Sequence, residues 1–183
     1  MKSAIETPFG LETKFIALDR EAATGAEIGG YASLFGVADQ NGDVVEPGAF
    51  AASLQRLARQ GRSVKLLWQH DPASPIGVWD SVAEDRLGLA VRGRLLTEIT
   101  RGAEAAALMA AGAVDGLSIG YRTIRAERAG AGRRLIELDL WEVSLVTFPM
   151  LPSARASAKA PDPEAEIARE LADALRSARE ALA

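Results

Sequence analysis

A chain of 183 residues with 48% hydrophobic and 25% charged side chains can bury one substantial core and carry a tail, and is too apolar for a wholly disordered polymer. Its net charge of −4 gives no electrostatic case for nucleic-acid binding, no apolar run reaches the roughly 18–20 residues of a membrane helix, and MKSAIETPFGLETK lacks a secretory apolar core, so a cytoplasmic protein is expected. With no cysteine and one histidine, His70, the chain offers no disulfide, thiolate zinc site, cysteine nucleophile or multi-histidine metal cluster.

In chain order, TKFIALD (13–19) and EIGGYASLFG (27–36) are rich in β-branched and aromatic residues and read as a hairpin or neighbouring strands. In DQNGDVVEPGAF, Asn41-Gly42 signals a turn, and Pro47 suits the first position of a helix, PGAFAASLQRLARQ, in which Phe50, Leu54 and Leu57 recur at helical spacing and Gly61 is the stop. Three strands follow, at 64–69, 76–84 and 88–96, bounded by Gly, Pro or Asp. A second helix is predicted over 98–111, with Thr97 as N-cap and Gly112 as its stop. A strand from about Leu117, an AGAGRR loop, and one long or bent strand over 134–148 complete the domain. Residues 151–163 are Pro/Ala/Ser-rich and read as a linker. In 164–183, Ile167, Leu171, Leu175 and Leu182 form the apolar stripe of an amphipathic helix, a candidate for docking or dimerisation. The expectation is an α+β, mainly β domain over 1–150 with a helical tail.

Asp39, Asn41 and Asp43 alternate as in an EF-hand loop, but such a loop would need glycine at Val44 and a bidentate acid at Phe50, so a turn with helix entry is preferred. A metal hydrolase built on Asp39, Asp43 and Glu46 lacks convergent partners. Gly29-Gly30 lacks the strand–GxGxxG–helix context of phosphate binding, and no cofactor is expected.

His70 ends a predicted strand beside Trp68 and Asp71. An imidazole titrating near about 6.5 can take and return a proton at neutral pH, although a strand-end histidine satisfied by a backbone group or by Asp71 is the plainer reading. In VDGLSIGY, Ser118 alternates with Leu117 and Ile119, so its hydroxyl faces a groove while they face the core; a tolerated small polar residue on a strand's outer face is its bland alternative. A serine hydroxyl needs a base, and His70 is the suitable one. A carboxylate must then fix the ring's tautomer. Glu142 is the first choice, because strand alternation sets Glu142, Ser144 and Val146 opposite Trp141, Val143 and Leu145; its alternative is a surface ion pair with Arg122. Asp139 has the opposite parity in a regular strand, and Asp71 points away from the ring's groove. Oxyanion donors are expected near Gly120 or after Glu142.

GYASLFGVADQNGDVVEPGAF, LLWQHDPASPIGVW, VDGLSIGY and LWEVSLVTFPM, in this order between Gly30 and Pro149, resemble the prohead (capsid maturation) protease family of HK97-like tailed phages and phage-derived gene transfer agents. The resemblance implies a serine endopeptidase with the herpesvirus assemblin-like fold, a small β-barrel flanked by helices, and the site order His70, Ser118, Glu142. The herpesvirus enzymes have a second histidine as third member, where this chain offers a carboxylate. It also implies that the enzyme, inside the assembling procapsid, cuts the scaffold or N-terminal delta domain of the major capsid protein and itself, with a self-dimer by analogy and neither nucleic acid nor membrane as partner. The rival reading is a catalytically inactive, protease-like assembly or scaffold protein.

Overall fold

The computed structural model describes residues 12–17, 27–130 and 132–148; the predicted linker, the C-terminal helix and the boundary near residue 150 lie outside them. In chain order the elements are β1 (Glu12–Ala17), β2 (Glu27–Leu34), β3 (Val44–Val45), α1 (Ala51–Arg59), β4 (Lys65–Trp68), β5 (Asp71–Glu84), β6 (Gly88–Leu95), α2 (Thr100–Ala110), β7 (Gly116–Ala129) and β8 (Gly132–Val146). The strands form one sheet in the order β1-β7-β8-β4-β5-β6-β2, with β3 attached to β8. The sheet curls into a half-barrel that brings β2 back towards β1 and β7. This is the expected mainly β architecture with two helices.

The first two strands do not form a hairpin. β1 pairs antiparallel with β7, placing Phe15 opposite Ser118, while β2 pairs with β6. Sequence neighbours pair more often than not, but here the curled sheet supplies each strand with a distant partner. Also unpredicted is β3, whose Val44 and Val45 pair in parallel with Arg134 and Leu135; two residues are too few to carry a periodic signal.

Both helices stop where glycine was expected to stop them. Gly61, at φ +63°, and Gly112, at φ +67°, adopt the left-handed conformation just past the helix end. At α1, Gly61 N–H donates to Ala58 O and Arg62 N–H to Leu57 O; at α2, Gly112 donates to Met109 O and Ala113 to Leu108 O. Each pair helps to satisfy the carbonyls of the last helical turn. The starts differ from expectation. Gly48 at φ +87° turns the chain after Pro47, so α1 begins only at Ala51. α2 begins at Thr100 with an extended Ile99 as N-cap and no side-chain cap, so Thr97 does not serve.

The core collects Leu66, Ile76, Leu89, Leu117, Ile119, Leu138, Val143 and Leu145, with Phe50 from the turn before α1. On β7 the alternation sets Leu117 and Ile119 on the core side and Ser118 and Gly120 on the opposite face, but that face is buried too: Ser118 has no exposed surface, where the sequence suggested a groove. On β8 it holds only in segments. Tyr121 pairs with Leu140 and Gly120 with Glu142, leaving Trp141 as the extra residue of a β-bulge, 44% exposed. Before the bulge the even residues Leu138 and Leu140 are buried in the core; after it the odd residues Val143 and Leu145 are. Glu142 and Ser144 consequently share a face with Ser118 and Gly120.

Candidate active site

His70 owes its position to a two-residue corner between β4 and β5. β4 runs parallel to β8, with Leu67 opposite Ser144 and Trp68 opposite Leu145. Gln69 (φ 52°) and His70 (φ 61°) then turn left-handed, and β5 starts at once with Asp71. DPASP is therefore strand, not the loop that its prolines suggested; Pro75 and Asp71 oppose Leu67 and Trp68 across an irregular register that tolerates the missing donors. A non-glycine residue in this conformation costs about 1–2 kcal/mol. Three hydrogen bonds to one end of β8 offset that cost: Gln69 N–H to Leu145 O at 3.0 Å, Gln69 Nε2 to Thr147 Oγ1 at 2.6 Å, and His70 N–H to Ser144 Oγ at 3.1 Å.

The corner aims the imidazole at Glu142. His70 Nδ1 lies 2.5 Å from Glu142 Oε1, with both side chains largely buried. Ser144 Oγ–H donates to the other carboxylate oxygen, Oε2, at 2.5 Å. An ionised carboxylate only accepts, so Nδ1 carries a proton, and in the neutral imidazole Nε2 then presents the lone pair. Gly120, directly opposite Glu142, makes room for this carboxylate: a Cβ there would stand 2.0 Å from Oε1. Gly120→Ala is expected to push the carboxylate off Nδ1, lowering turnover about 100-fold, the scale of an ångström-sized misplacement, with the far-UV circular dichroism of the parent. Wild-type turnover in that variant would mean that the imidazole works without Glu142.

Ser118 sits directly opposite Ser144, so the two side chains project from neighbouring strands on one face. Ser118 has no exposed surface, and its Oγ has no hydrogen-bond partner. The Ser118–His70 hydrogen bond is thus not formed in this structure; both residues instead adjoin Ser144. Leaving a buried hydroxyl unsatisfied costs about 1–3 kcal/mol; Ser33 on β2 shares this condition, whereas the buried serines Ser144 and Ser53 are both bonded.

The other candidates are engaged elsewhere. The Asp71 carboxylate accepts from Ser74 Oγ and Ala73 N–H, which hold its carboxyl below the usual range, the Ser74 hydroxyl foremost. Asp39 Oδ1 accepts the N–H groups of Asn41 and Asp43 in a tight turn, and Asp43 pairs with Arg133. Glu46 bonds Arg134, whose guanidinium keeps that carboxyl low. Arg122, the alternative partner of Glu142, pairs with Asp139, as does Arg56.

A family model described as "Caudovirus prohead serine protease" matches residues 13–166, more than four-fifths of the chain and all of this constellation. The chain belongs to that family. The prohead protease of Enterobacteria phage HK97 is 39% identical over 124 residues, an alignment covering 66% of this chain and 54% of the relative, so the chain spans about half the length of that relative. Among solved structures, the capsid assembly protease of bacteriophage T4 superimposes with a TM-score of 0.59 at 15% identity, covering 76% of this chain and 98% of that one. At that identity the likeness speaks for the fold alone.

Within this family fold the three residues singled out by chemistry, His70, Ser118 and Glu142, converge on one side of the β7–β8–β4 segment. Sequence reasoning did not single out two others that the geometry adds. Ser144 was visible only as a residue of the same parity as Glu142, and Gly120 only as a landmark for oxyanion donors, not as the space for the carboxylate. The signal that could have found Gly120 is its spacing: two residues beyond Ser118 is the next position on the same strand face.

Proposed function

We propose that the protein is a serine endopeptidase of procapsid maturation, with Ser118 as nucleophile, His70 as general base and Glu142 as the group that orients the ring. The observation that carries the reading is the buried Glu142–His70 pair, at 2.5 Å, on the same sheet face as a buried serine hydroxyl that no other group uses. His70 Nε2 takes the proton of Ser118 Oγ as Oγ bonds to the peptide carbonyl carbon. The imidazolium, stabilised by Glu142, returns that proton to the leaving amine as the C–N bond breaks. Water then attacks the acyl-enzyme, with His70 again as base, and the acid product and free Ser118 are released.

The substrate class follows from kinship. The family is named for the prohead, the HK97 relative is a prohead protease and the T4 neighbour a capsid assembly protease, which supports the major capsid protein, its scaffold or N-terminal delta domain, and the protease itself as substrates inside the procapsid. No helix among the described residues is long and apolar enough to cross a membrane. The test is incubation of the purified protein with the capsid protein encoded beside it, followed by intact-mass measurement. Shortened capsid protein is expected, together with inhibition by an organophosphonate whose mass appears on the peptide containing Ser118. Cleavage that persists with an unmodified Ser118 under saturating reagent would move the nucleophile elsewhere, and a capsid protein of unchanged mass would favour the assembly-only role.

A further inference from the structure

We infer that Ser144 is a positioning residue of this site, the hydroxyl that locks the Glu142 carboxylate and the His70 main chain into one closed ring; the inference rests on the triad proposed above. A serine hydroxyl has one donor and two acceptor sites. Here the donor goes to Glu142 Oε2 at 2.5 Å, and one acceptor site takes the His70 N–H at 3.1 Å. Since Glu142 Oε1 meets His70 Nδ1 at 2.5 Å, the path from the His70 N–H through Ser144 and the carboxylate returns to the His70 ring. Both ends of the ring are the same residue. The carboxylate is therefore held relative to the main chain of the histidine it orients, which fixes the rotation of the imidazole about its Cα–Cβ bond.

Two further features assign the task to this hydroxyl. Gln69 and His70 are left-handed without being glycines, and the Ser144 bond holds the main-chain N–H of His70. Without it this corner relaxes towards an ordinary conformation and swings the ring. Ser144 also has no exposed surface, so water does not stand in for the lost hydroxyl as it does at a surface serine. Gly120 confines the carboxylate from the β7 side by leaving space, and Ser144 holds it in that space by a bond.

The chain's single histidine makes the test direct, because one ring N–H signal is to be read and it belongs to His70. The protein is studied in the Ser118→Ala background, which silences self-cleavage and separates this question from whether Ser118 is the nucleophile. A short, charge-assisted Nδ1–H···O bond is expected to give a strongly downfield proton resonance that exchanges slowly. Its absence with Ser144 in place would overturn the inference at the outset. Adding Ser144→Ala should move this resonance upfield or remove it by exchange, with amide dispersion unchanged, and Ser144→Thr should restore it. Ser144→Val, which has the shape of Thr without the hydroxyl, should behave as Ala does; this pair keeps the test decisive where the Ala variant fails to fold. With Ser118 restored, turnover should fall about 100-fold in Ser144→Ala and Ser144→Val and recover in Ser144→Thr. A ring resonance that is the same in the Thr and Val variants, or unmoved in a folded Ala variant, overturns the inference even if turnover drops, since that drop would then reflect packing alone. Loss of the resonance in the Ser144 variants alongside undiminished cleavage by Ser118→Ala would instead keep the ring and sink the triad.

Discussion

Ser118→Ala is expected to leave co-expressed capsid protein at full mass while making the protein itself no less stable. The activity half of the result follows from chemistry: without Oγ there is no acyl-enzyme, and the residual acceleration of about 10³–10⁴ over water that a triad enzyme keeps after losing a member is invisible on the timescale of an assembly reaction. The stability half follows from burial. Ser118 has no exposed surface and its hydroxyl is unbonded, so the native state carries the desolvation of a polar group with no compensating bond. Removing that hydroxyl leaves a methyl group in its place and deletes the unsatisfied atom. A denaturant midpoint equal to the wild type or higher, by the equivalent of about 1 kcal/mol, is the expected reading. An inactive variant that is also markedly destabilised would mean that Ser118 is a structural residue whose bond forms in solution, and the nucleophile would have to be sought elsewhere. A functional residue that the fold would rather not have is what a stability–activity trade-off predicts.

The parts of this site that were legible in the sequence are those set by strand alternation. On β7, Leu117 and Ile119 alternate with Ser118, so the face the hydroxyl takes could be read without coordinates, whereas the burial of both faces over Gly116–Tyr121 could not. Gly61 and Gly112 were legible as helix stops because a left-handed residue after the last turn favours glycine. The illegible parts belong to pairing between strands. The bulge at Trp141 exists only in the register between β7 and β8, and it reverses the core parity of β8, so the argument that opposed Glu142 to Asp139 by parity assumed a regularity that the strand lacks. Glu142 still arrives on the face of Ser118, because its parity with Ser144 was taken after the bulge. The left-handed corner at Gln69 and His70 was hidden for another reason: neither residue advertises a positive φ, and the bonds that pay for it come from Ser144, Leu145 and Thr147, more than seventy residues away. The partner of β1 was illegible for the same cause, a non-local pairing that overrode the nearest-neighbour expectation.

Glu142→Gln should reduce cleavage about 10⁴-fold without disturbing the fold, the loss that follows when a triad histidine is held in the wrong tautomer. The direction can be worked out from the donors around the carboxylate. Oε2 accepts from the Ser144 hydroxyl and Oε1 from His70 Nδ1–H, so the native carboxylate receives two donors. An amide has one acceptor oxygen and one donor nitrogen. If its oxygen keeps the Ser144 bond, its NH₂ faces Nδ1, which must then accept; the ring proton moves to Nε2, and the nitrogen that should deprotonate Ser118 has no lone pair. If the amide flips, its NH₂ faces Ser144 Oγ, which already accepts the His70 N–H, and the serine proton loses its only buried acceptor. The first orientation keeps the Ser144 bond and gives Nδ1 a donor, and is the one expected to persist. It also removes the negative charge that stabilises the imidazolium, so the tautomer and charge effects act in the same direction. Single-turnover cleavage of capsid protein by wild type and variant, with matched circular dichroism, measures the effect; a variant within tenfold of wild type would show that the ring is oriented by its main-chain corner alone and that Glu142 is a structural partner of Ser144.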